Sequence, residues 1–585
     1  MSLRTGQKVH VGFRSTKATS RRRFAEQIAT GNRTILTSFC QRLIRHLVVT
    51  GCLLLIGLFS LPSLSAQQRE EIRERRRHAF LEQREKIRTD LHDDLQTLRS
   101  WCTEEGIADR ISYLDAVETV LLGDITDIPA PRFVQPPLPK TTPTSGDELE
   151  SRIRKARETR AAELYKLART TLNADFPTLA FSLIEEVLRM DPDHRYARAI
   201  QGQELFLDSQ RRNDPDYAGE WVNAFEAEMR SPPEHRVDHP QFGWIPIAHV
   251  TRYEQGERPW KSDWVSATRE AELRRDFRNA WEVETEHFLI RTNVSREAGV
   301  RMSRQLETFY SWLQQHLPGF FETPEAMKER FLNASTRRSR RTRMQPMEVN
   351  FFATRDEYRS HLRGKLPPDF EVNGIFLPED RASYLYFNPV EDSMSTMFHE
   401  ATHQIFDHHT LSDRRTAARA LQRRLRLQRI PEWKICEHAN FWLIEGLACY
   451  FESFRITDNG IEVGDPTYVR FETARQRLFN PMYFYYVPMQ TFFGLGQDEF
   501  KNDPHREKLY TQASGTAHFL MHYNDGMYRD ELVTLLSAVY RPDPKNILAE
   551  PRFDQIAGVS FEDLDEQYRK HTQAVEDALS AIPSQ

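Results

Sequence analysis

The run His399-Glu400-Ala401-Thr402-His403 carries two imidazoles four residues apart, with a carboxylate between them. Its surroundings predict a helix over residues 394–407. Residues four apart lie on one face of a helix, so both imidazoles can bind one metal ion. Glu400 lies one step around the helix, where it can reach a water on that ion and act as a base. The chemistry indicated is hydrolysis by zinc-activated water; the alternative is a charged amphipathic helix that matches this spacing by chance.

A later apolar stretch offers a third ligand, which a tetrahedral catalytic zinc requires in addition to an open position for water. In Trp442-Leu443-Ile444-Glu445-Gly446-Leu447-Ala448, one carboxylate lies inside an apolar helical pattern. Burying Glu445 is costly unless a cation pairs with it, and zinc would be that cation. The small residues Gly446 and Ala448 would let this helix approach the first one closely. The alternative is an exposed carboxylate, or one at a helix N-terminus.

A rival third ligand is His409, ten residues after His399, which is the spacing of H-E-x-x-H-x-x-G-x-x-H. In that pattern the Gly breaks the helix so that the last His can turn back to the metal. Here the position holds Phe406, which lacks that conformational freedom. We therefore expect His408 and His409 to form a pair at the C-terminus of the helix, near its negative dipole end.

The two motifs together resemble those of the gluzincin zinc metallopeptidases, and the second resembles W-L-x-E-G-x-A of the neutral zinc aminopeptidases. The resemblance covers about residues 280–580, and extends to uncharacterised secreted bacterial proteins with a similar domain. It implies a thermolysin-like α+β fold, a Zn²⁺ cofactor held by His399, His403 and Glu445, and Glu400 as general base. Two departures stand out. The 41 residues between His403 and Glu445 exceed the usual gap, and no G-x-M-E-N run implies an aminopeptidase.

The same resemblance indicates further parts of such a site. Tyr510 is similar in position to a tyrosine that stabilises the oxyanion, with His518 and Tyr485 in reserve; the alternative is an ordinary core tyrosine. Residues 383–387 would form the edge strand that pairs with the substrate backbone. Glu452 or Asp407 would hold a ligand imidazole by its free N–H.

The N-terminal segment has the features of an export signal. Residues 1–66 contain ten Lys or Arg and one Glu, and a Leu-rich uncharged run over residues 47–61 is followed by small residues up to Ala66. We predict cleavage near Ala66 and a location outside the cytoplasm; the alternative is an uncleaved anchor that attaches the protein to a membrane through residues 47–61. Cys102, Cys436 and Cys449 would then remain, which is no disulfide framework; we expect Cys436 and Cys449 to be buried thiols, and the alternative is a bridge between them.

The rest of the chain divides by composition into five regions. We predict a charged helical region over 67–127, in which Ile87, Leu91, Leu95, Leu98 and Cys102 recur at helical spacing. A Pro-rich linker follows over 128–149, and a tetratricopeptide-like helical hairpin over 150–212, either docking a protein partner or packing on the peptidase. A Trp-rich bridge over 213–280, whose tryptophans we expect to pack in a core, leads into the metallopeptidase-like domain over 281–580. In that domain we predict strands at 287–292, 347–352, 374–377 and 382–387 and a closing helix over 553–568.

Charge narrows the functional classes. The chain has a net charge of −5, and export together with an acidic mature chain disfavours nucleic-acid binding. Seven arginines between the two motifs form either a solvated basic helix or a positive wall that favours acidic substrates or an anionic envelope surface: Arg414, Arg415, Arg419, Arg423, Arg424, Arg426 and Arg429. The function expected is peptide hydrolysis by an exported zinc enzyme. The alternatives are a non-enzymatic envelope scaffold and a hydrolase of another substrate.

Overall fold

The computed structural model describes residues 66–122, 131–136, 148–208, 211, 214, 217–334, 344–367, 372–388, 393–429, 434–458, 460–543 and 550–581. They form a mixed, mainly helical α+β structure, which confirms the predicted class at that level. The predicted export segment, including residues 47–61, lies outside the described residues except for Ala66.

The N-terminal part is a helical layer. It contains α1 (Ala66–Glu104), α2 (Ile111–Leu122), the strand β1 (Phe133–Gln135), α3 (Glu148–Asn173), α4 (Pro177–Met190) and α5 (Arg195–Ile200). Pro177 opens α4 at its first position, where a helix needs no N–H donor. The helical pair predicted over 150–212 is present, and one apolar cluster buries its expected packing residues together with α1: Leu91, Leu95, Leu164, Leu167, Ala168, Ala180 and Ile184.

The Trp-rich region is built from small hairpins. It contains β2 (Gln203–Phe206), β3 (Glu220–Asn223), α6 (Ala224–Arg230), β4 (Arg236–His239), β5 (Gly243–Pro246), α7 (Val250–Glu254), β6 (Glu257–Trp260), β7 (Asp263–Ser266) and α8 (Ala267–Leu273). The strands pair as β2–β3, β4–β5 and β6–β7. Trp264 packs on a small core of Phe242, Ile245 and Tyr253. The tryptophans of these hairpins are half-buried, which fits the expected packing role.

A five-stranded sheet forms the scaffold of the second half. Its elements are β8 (Trp281–Glu284), β9 (Phe288–Thr292), α9 (Arg296–His316), α10 (Pro318–Phe321), α11 (Pro324–Leu332), β10 (Met347–Phe352), α12 (Arg355–Leu362), β11 (Gly374–Leu377) and β12 (Ala382–Tyr386). The strand order is β11-β12-β10-β9-β8. Strand β10 runs parallel to β9 and β12, while β8 and β11 are antiparallel edges. The predicted strands at 347–352 and 374–377 are confirmed.

The remaining elements are mostly helices that cover the sheet: α13 (Ser393–Leu425), α14 (Phe441–Phe451), β13 (Arg455–Thr457), β14 (Gly460–Val463), α15 (Val469–Phe479), α16 (Met489–Phe493), α17 (Gln497–Asn502), α18 (Arg506–His522), α19 (Arg529–Tyr540), α20 (Phe553–Ala557) and α21 (Phe561–Ser580). They share a large apolar core with β9, β10 and α9. The predicted closing helix is divided in two, because Gly558 adopts a left-handed conformation with φ 73° between α20 and α21.

Three predictions about the elements are wrong. Residues 383–387 do not form an edge strand, because β12 lies between β10 and β11 and the edge of the sheet is Gly374–Leu377. The helix that begins at Ser393 continues to Leu425, so His408 and His409 lie in its middle rather than at its C-terminus. The linker contributes a strand, since β1 pairs antiparallel with β14.

Candidate metal centre

Helix α13 presents His399 and His403 side by side, as their spacing predicted. The Nε2 atoms of the two imidazoles lie 3.2 Å apart. Oε2 of Glu445, from α14, lies 3.6 Å from each of these nitrogens. The three side chains are 16%, 17% and 11% exposed, so the cluster lies just beneath the surface. The structure therefore brings all three predicted ligands together.

The donor separations fit one tetrahedral ion. Zinc binds imidazole nitrogen and carboxylate oxygen at about 2.0–2.2 Å, so neighbouring ligand atoms in a tetrahedron lie about 3.4 Å apart. The separations of 3.2 and 3.6 Å bracket that value. Without an ion, the two imidazoles hold the pKa of Glu445 far below its usual range, although burial acts in the opposite direction. The residues present thus fit Zn²⁺ with a fourth position left for water.

Helix α14 is buried along its whole length, which explains why its sequence is so apolar. Its position depends on a close contact at Gly446, where an added Cβ would lie 2.7 Å from the carbonyl oxygen of Ala513 in α18. This differs from the expectation that Gly446 lets α14 approach the first motif helix. Gly446 instead packs against α18, on the other side of α14. It thereby sets how closely α14, which carries Glu445, approaches α18.

Glu452 contacts the first of the two imidazoles. His399 Nδ1 lies 2.9 Å from Glu452 Oε1, so an N–H donated there leaves the Nε2 lone pair for a metal. Arg470 donates two hydrogen bonds to the same carboxylate and Tyr468 donates a third. Burial raises the pKa of Glu452, but the bonds from His399 and Arg470 outweigh burial and hold it at about 2. The carboxylate is therefore ionised and fixed from both sides.

The predicted role of Asp407 is wrong. Asp407 pairs with the buried Arg414, two helical turns further on, so it does not hold an imidazole. The rival ligand His409 is also excluded from the cluster, since its Nε2 lies 2.6 Å from the hydroxyl of Tyr310. Burial lowers the pKa of His409 to about 3, which keeps it neutral in that site. The unbroken helix through Phe406 is the reason that His409 cannot turn back.

Glu400 faces the edge of the sheet. Its Oε2 accepts a hydrogen bond of 2.7 Å from the backbone N–H of Phe376 in β11. The close approach requires Gly374, where an added Cβ would lie 2.7 Å from Thr396 and 3.3 Å from Glu400. The predicted base thus follows His399 on α13 and contacts the edge strand. The sequence could not predict this contact, because its donor is a backbone N–H, which nearly every residue carries.

Tyr510 lies near the ligands, on α18. Burial raises the pKa of its hydroxyl, and Glu445 and Cys449 raise it further, so the hydroxyl stays protonated and can donate. The hydroxyl forms no hydrogen bond with another residue in the described part of the chain. The two reserve candidates lie elsewhere: His518 Nε2 lies 3.1 Å from the carbonyl oxygen of Gly464, and Tyr485 packs against His505.

Two features of the site were not found from sequence. Arg470 and Tyr468 follow the ligand motif at a distance that no short pattern encodes. Cys449 lies beside His399 and Glu452, close enough for the three to form a second group of donor atoms on the other side of the imidazole. Cys436 and Cys449 are free and buried, which confirms that they do not form a disulfide.

The seven arginines of the intervening segment fit the solvated interpretation. Arg414 is buried against Asp407, whereas the other six are exposed on α13 and just after it. Among the described helices, none combines the length and the apolar character needed to cross a membrane. Comparison with protein-family models, with curated proteins and with solved structures finds no match to this chain.

Proposed function

We propose that this protein is a zinc-dependent peptidase of the gluzincin type. The observation that carries the proposal is the convergence of His399, His403 and Glu445 on one point, with the Glu400 carboxylate beside it. A bound Zn²⁺ would polarise the scissile carbonyl and lower the pKa of water to about 7. A thermolysin-like fold, which the resemblance implies, is part of the proposal.

The protein's own groups divide the reaction between them. Glu400 takes a proton from the attacking water, whose oxygen bonds to the carbonyl carbon, and passes that proton to the leaving nitrogen as the C–N bond breaks. Tyr510 donates a hydrogen bond to the oxyanion that develops. Glu452 and Arg470 hold His399 in its ligating orientation.

Strand β11 is the proposed substrate platform. It is an edge of the sheet and it runs beside Glu400, so an extended peptide can add to it through backbone hydrogen bonds. The carbonyl to be cleaved would then lie above the ligand cluster. Export of the protein and docking of a partner by residues 150–212 remain predictions from the sequence.

Metal content and hydrolysis by the purified full chain test the proposal. We expect about one zinc per chain by elemental mass spectrometry, lost in Glu445→Ala and kept in Glu400→Gln. The Glu400→Gln protein should hydrolyse a peptide library about 100-fold more slowly or worse. The matched control is His409→Gln, which removes the rival ligand and should keep the zinc. A wild-type protein that stays metal-free after reconstitution would contradict the proposal and favour the scaffold alternative.

A further inference from the structure

An exposed aromatic loop lies between α15 and α16. Six consecutive residues, Phe479-Asn480-Pro481-Met482-Tyr483-Phe484, are exposed and none is charged. Met482 is 81% exposed, Tyr483 58% and Phe484 55%. These three large apolar side chains are each more than half exposed, so they form an exposed tip rather than part of the core. Exposed apolar surface concentrated in this way marks an interaction site.

The backbone of this loop is held in a defined turn. The Asn480 side chain accepts a hydrogen bond of 3.0 Å from the N–H of Met482, and its carbonyl oxygen accepts one of 3.0 Å from Tyr483. The N–H of Tyr485 donates to the carbonyl oxygen of Arg477 at 2.9 Å. The turn is therefore made by backbone and Asn480, and the apolar side chains at its tip do not contribute a core.

Two tyrosines and two cations form a collar at the base of the tip. Tyr485 and Tyr486 are half-buried; the ammonium of Lys508 lies 5.1 Å from the first ring and the guanidinium of Arg569 4.9 Å from the second. Neither Lys508 nor Arg569 forms an ion pair with a residue in the described ranges. The nearest carboxylate to Tyr486, Asp565, is already engaged by the tyrosine hydroxyl and by the N–H of Met489.

The size and charge of this region identify its partner. A stable interface with a second copy or another protein uses roughly 20–30 residues a side, far more than this tip offers. A lipid surface needs no complementary partner, because apolar tips enter the interfacial layer while tyrosines and basic side chains stay at the headgroups. The unpaired cations of the collar select a surface with negative charge.

We propose that residues 479–486, with Lys508 and Arg569, are a docking site for an anionic bilayer surface. Phe479, Met482, Tyr483 and Phe484 enter the interface, and the two cations contact lipid phosphates. The proposal does not rest on the function proposed above. It places the folded part of the protein at a membrane surface by a contact that is independent of residues 47–61.

A probe at the tip tests the proposal directly. Met482→Cys is introduced into the full chain together with Cys40→Ser and Cys52→Ser, and is labelled with an environment-sensitive fluorophore. The label attaches at position 482 because the remaining cysteines are buried. The matched control places the fluorophore at Ala162→Cys, which is exposed on α3. We expect vesicles of phosphatidylglycerol and phosphatidylcholine to shift the emission of the probe at 482 to shorter wavelength and to leave the probe at 162 unchanged. Residues 47–61 are present in both labelled proteins, so any binding of these residues to the vesicles contributes equally to the two measurements.

Charge reversal separates the possible partners. The double variant Lys508→Glu, Arg569→Glu should bind the vesicles more weakly by roughly 30-fold or more, as measured by the emission shift at position 482. High salt should weaken the binding of the parent protein. An absent shift at 482, an equal shift at 162, or an equal response to vesicles of phosphatidylcholine alone would overturn the proposal. A shift without vesicles that grows with protein concentration would assign the tip to a second copy, and a shift produced by peptides alone would assign it to substrate; either result overturns the proposal.

Discussion

At the residue scale, Glu445 is the most informative position. Its side chain is 11% exposed inside a helix of apolar residues, and its carboxylate faces two imidazoles rather than a Lys or Arg. A buried carboxylate is tolerated only when a positive group compensates for its lost hydration. Protonated imidazoles or a zinc ion can do so, and the proposed enzyme uses the ion. The apolar sequence around one acidic residue therefore correctly indicated a buried carboxylate.

The orienting role of Glu452 gives a prediction at the same scale. Glu452→Gln removes the charge that holds His399 Nδ1 while it keeps the side-chain size, so zinc affinity should fall about 10–100-fold. Competition with a fluorescent chelator measures this affinity. The control is Glu472→Gln, an exposed carboxylate on α15 that bonds to Gln476 and should have no effect. Unchanged affinity in Glu452→Gln would show that the contact with His399 does not orient a ligand.

Tyr510 gives a second prediction for a single residue. Tyr510→Phe removes only the hydroxyl, which stays protonated because burial and Glu445 raise its pKa. We expect an unchanged zinc content, an unchanged KM and a kcat lower by about 100–1,000-fold, as for loss of an oxyanion donor. Steady-state kinetics on a peptide found by library screening measures this. A variant with normal kcat would reduce Tyr510 to a packing residue; Tyr485→Phe is the control, since that ring lies against His505.

At the scale of elements, α14 is held between α13 and α18. Gly446 allows the contact with α18, because its added Cβ would lie 2.7 Å from the Ala513 carbonyl oxygen, which is backbone and cannot rotate away. Gly446→Ala should therefore move α14 and lower the free energy of unfolding by about 1–3 kcal/mol. Urea unfolding monitored by circular dichroism measures the loss.

The matched control for Gly446→Ala is Gly494→Ala. Gly494 has ordinary helical angles, φ −74° and ψ −11°, and an added Cβ would lie no closer than 3.3 Å to its neighbours. This variant should differ little from the parent protein. If Gly446→Ala were equally stable, the separation of α14 from α18 would not depend on the glycine.

The helices and strands also show which structural features could be predicted from the sequence and which could not. Strands 347–352 and 374–377 were predicted correctly because each is a short run rich in apolar and aromatic residues, with Pro346 before the first and Pro378 after the second. The edge strand was assigned to the wrong segment, because strand order is set by pairing between distant segments and leaves no local trace. The length of α13 was underestimated for a similar reason: its basic second half is stabilised by the Asp407–Arg414 pair and by burial of Ala417 and Leu421.

At the scale of the whole molecule, a buried histidine cluster joins distant parts of the chain. The cluster contains His316 of α9, His518 and His522 of α18, and His571 of α21. Its members surround Phe133 of β1 or contact one another. Burial lowers the pKa of His316 and His518 to about 3 and that of His571 to about 4, and neighbouring Arg475 and Arg529 act in the same direction on His518 and His316. The cluster is neutral in the folded protein.

This cluster makes stability fall as the solution becomes acidic. Between the ordinary histidine pKa of about 6.5 and the lower pKa in the folded protein, the unfolded chain binds more protons, so acid favours unfolding. Each such histidine adds about 1.4 kcal/mol per pH unit to the slope. His571→Gln should reduce the slope by about that amount between pH 6 and pH 5.

Urea unfolding with chelator present, from pH 8 to pH 5, measures the difference between His571→Gln and the parent. Contributions from the metal ligands are equal in the two proteins and cancel. His438→Gln is the control, because that side chain is 75% exposed and its slope should match the parent. Equal slopes for all three proteins would show that His571 is not held neutral by the fold.

The sequence by itself determined the residues of the candidate site. Two imidazoles at helical spacing with one carboxylate between them are a local pattern that helix geometry alone brings together, and an apolar run marks one further carboxylate. The tertiary structure decided everything that depends on contacts between distant segments. It selected Glu452 rather than Asp407 as the partner of His399, placed β11 rather than β12 at the edge beside Glu400, and set α14 against α18 through Gly446. Such choices depend on which surfaces meet in the folded chain, and residue spacing carries no record of them.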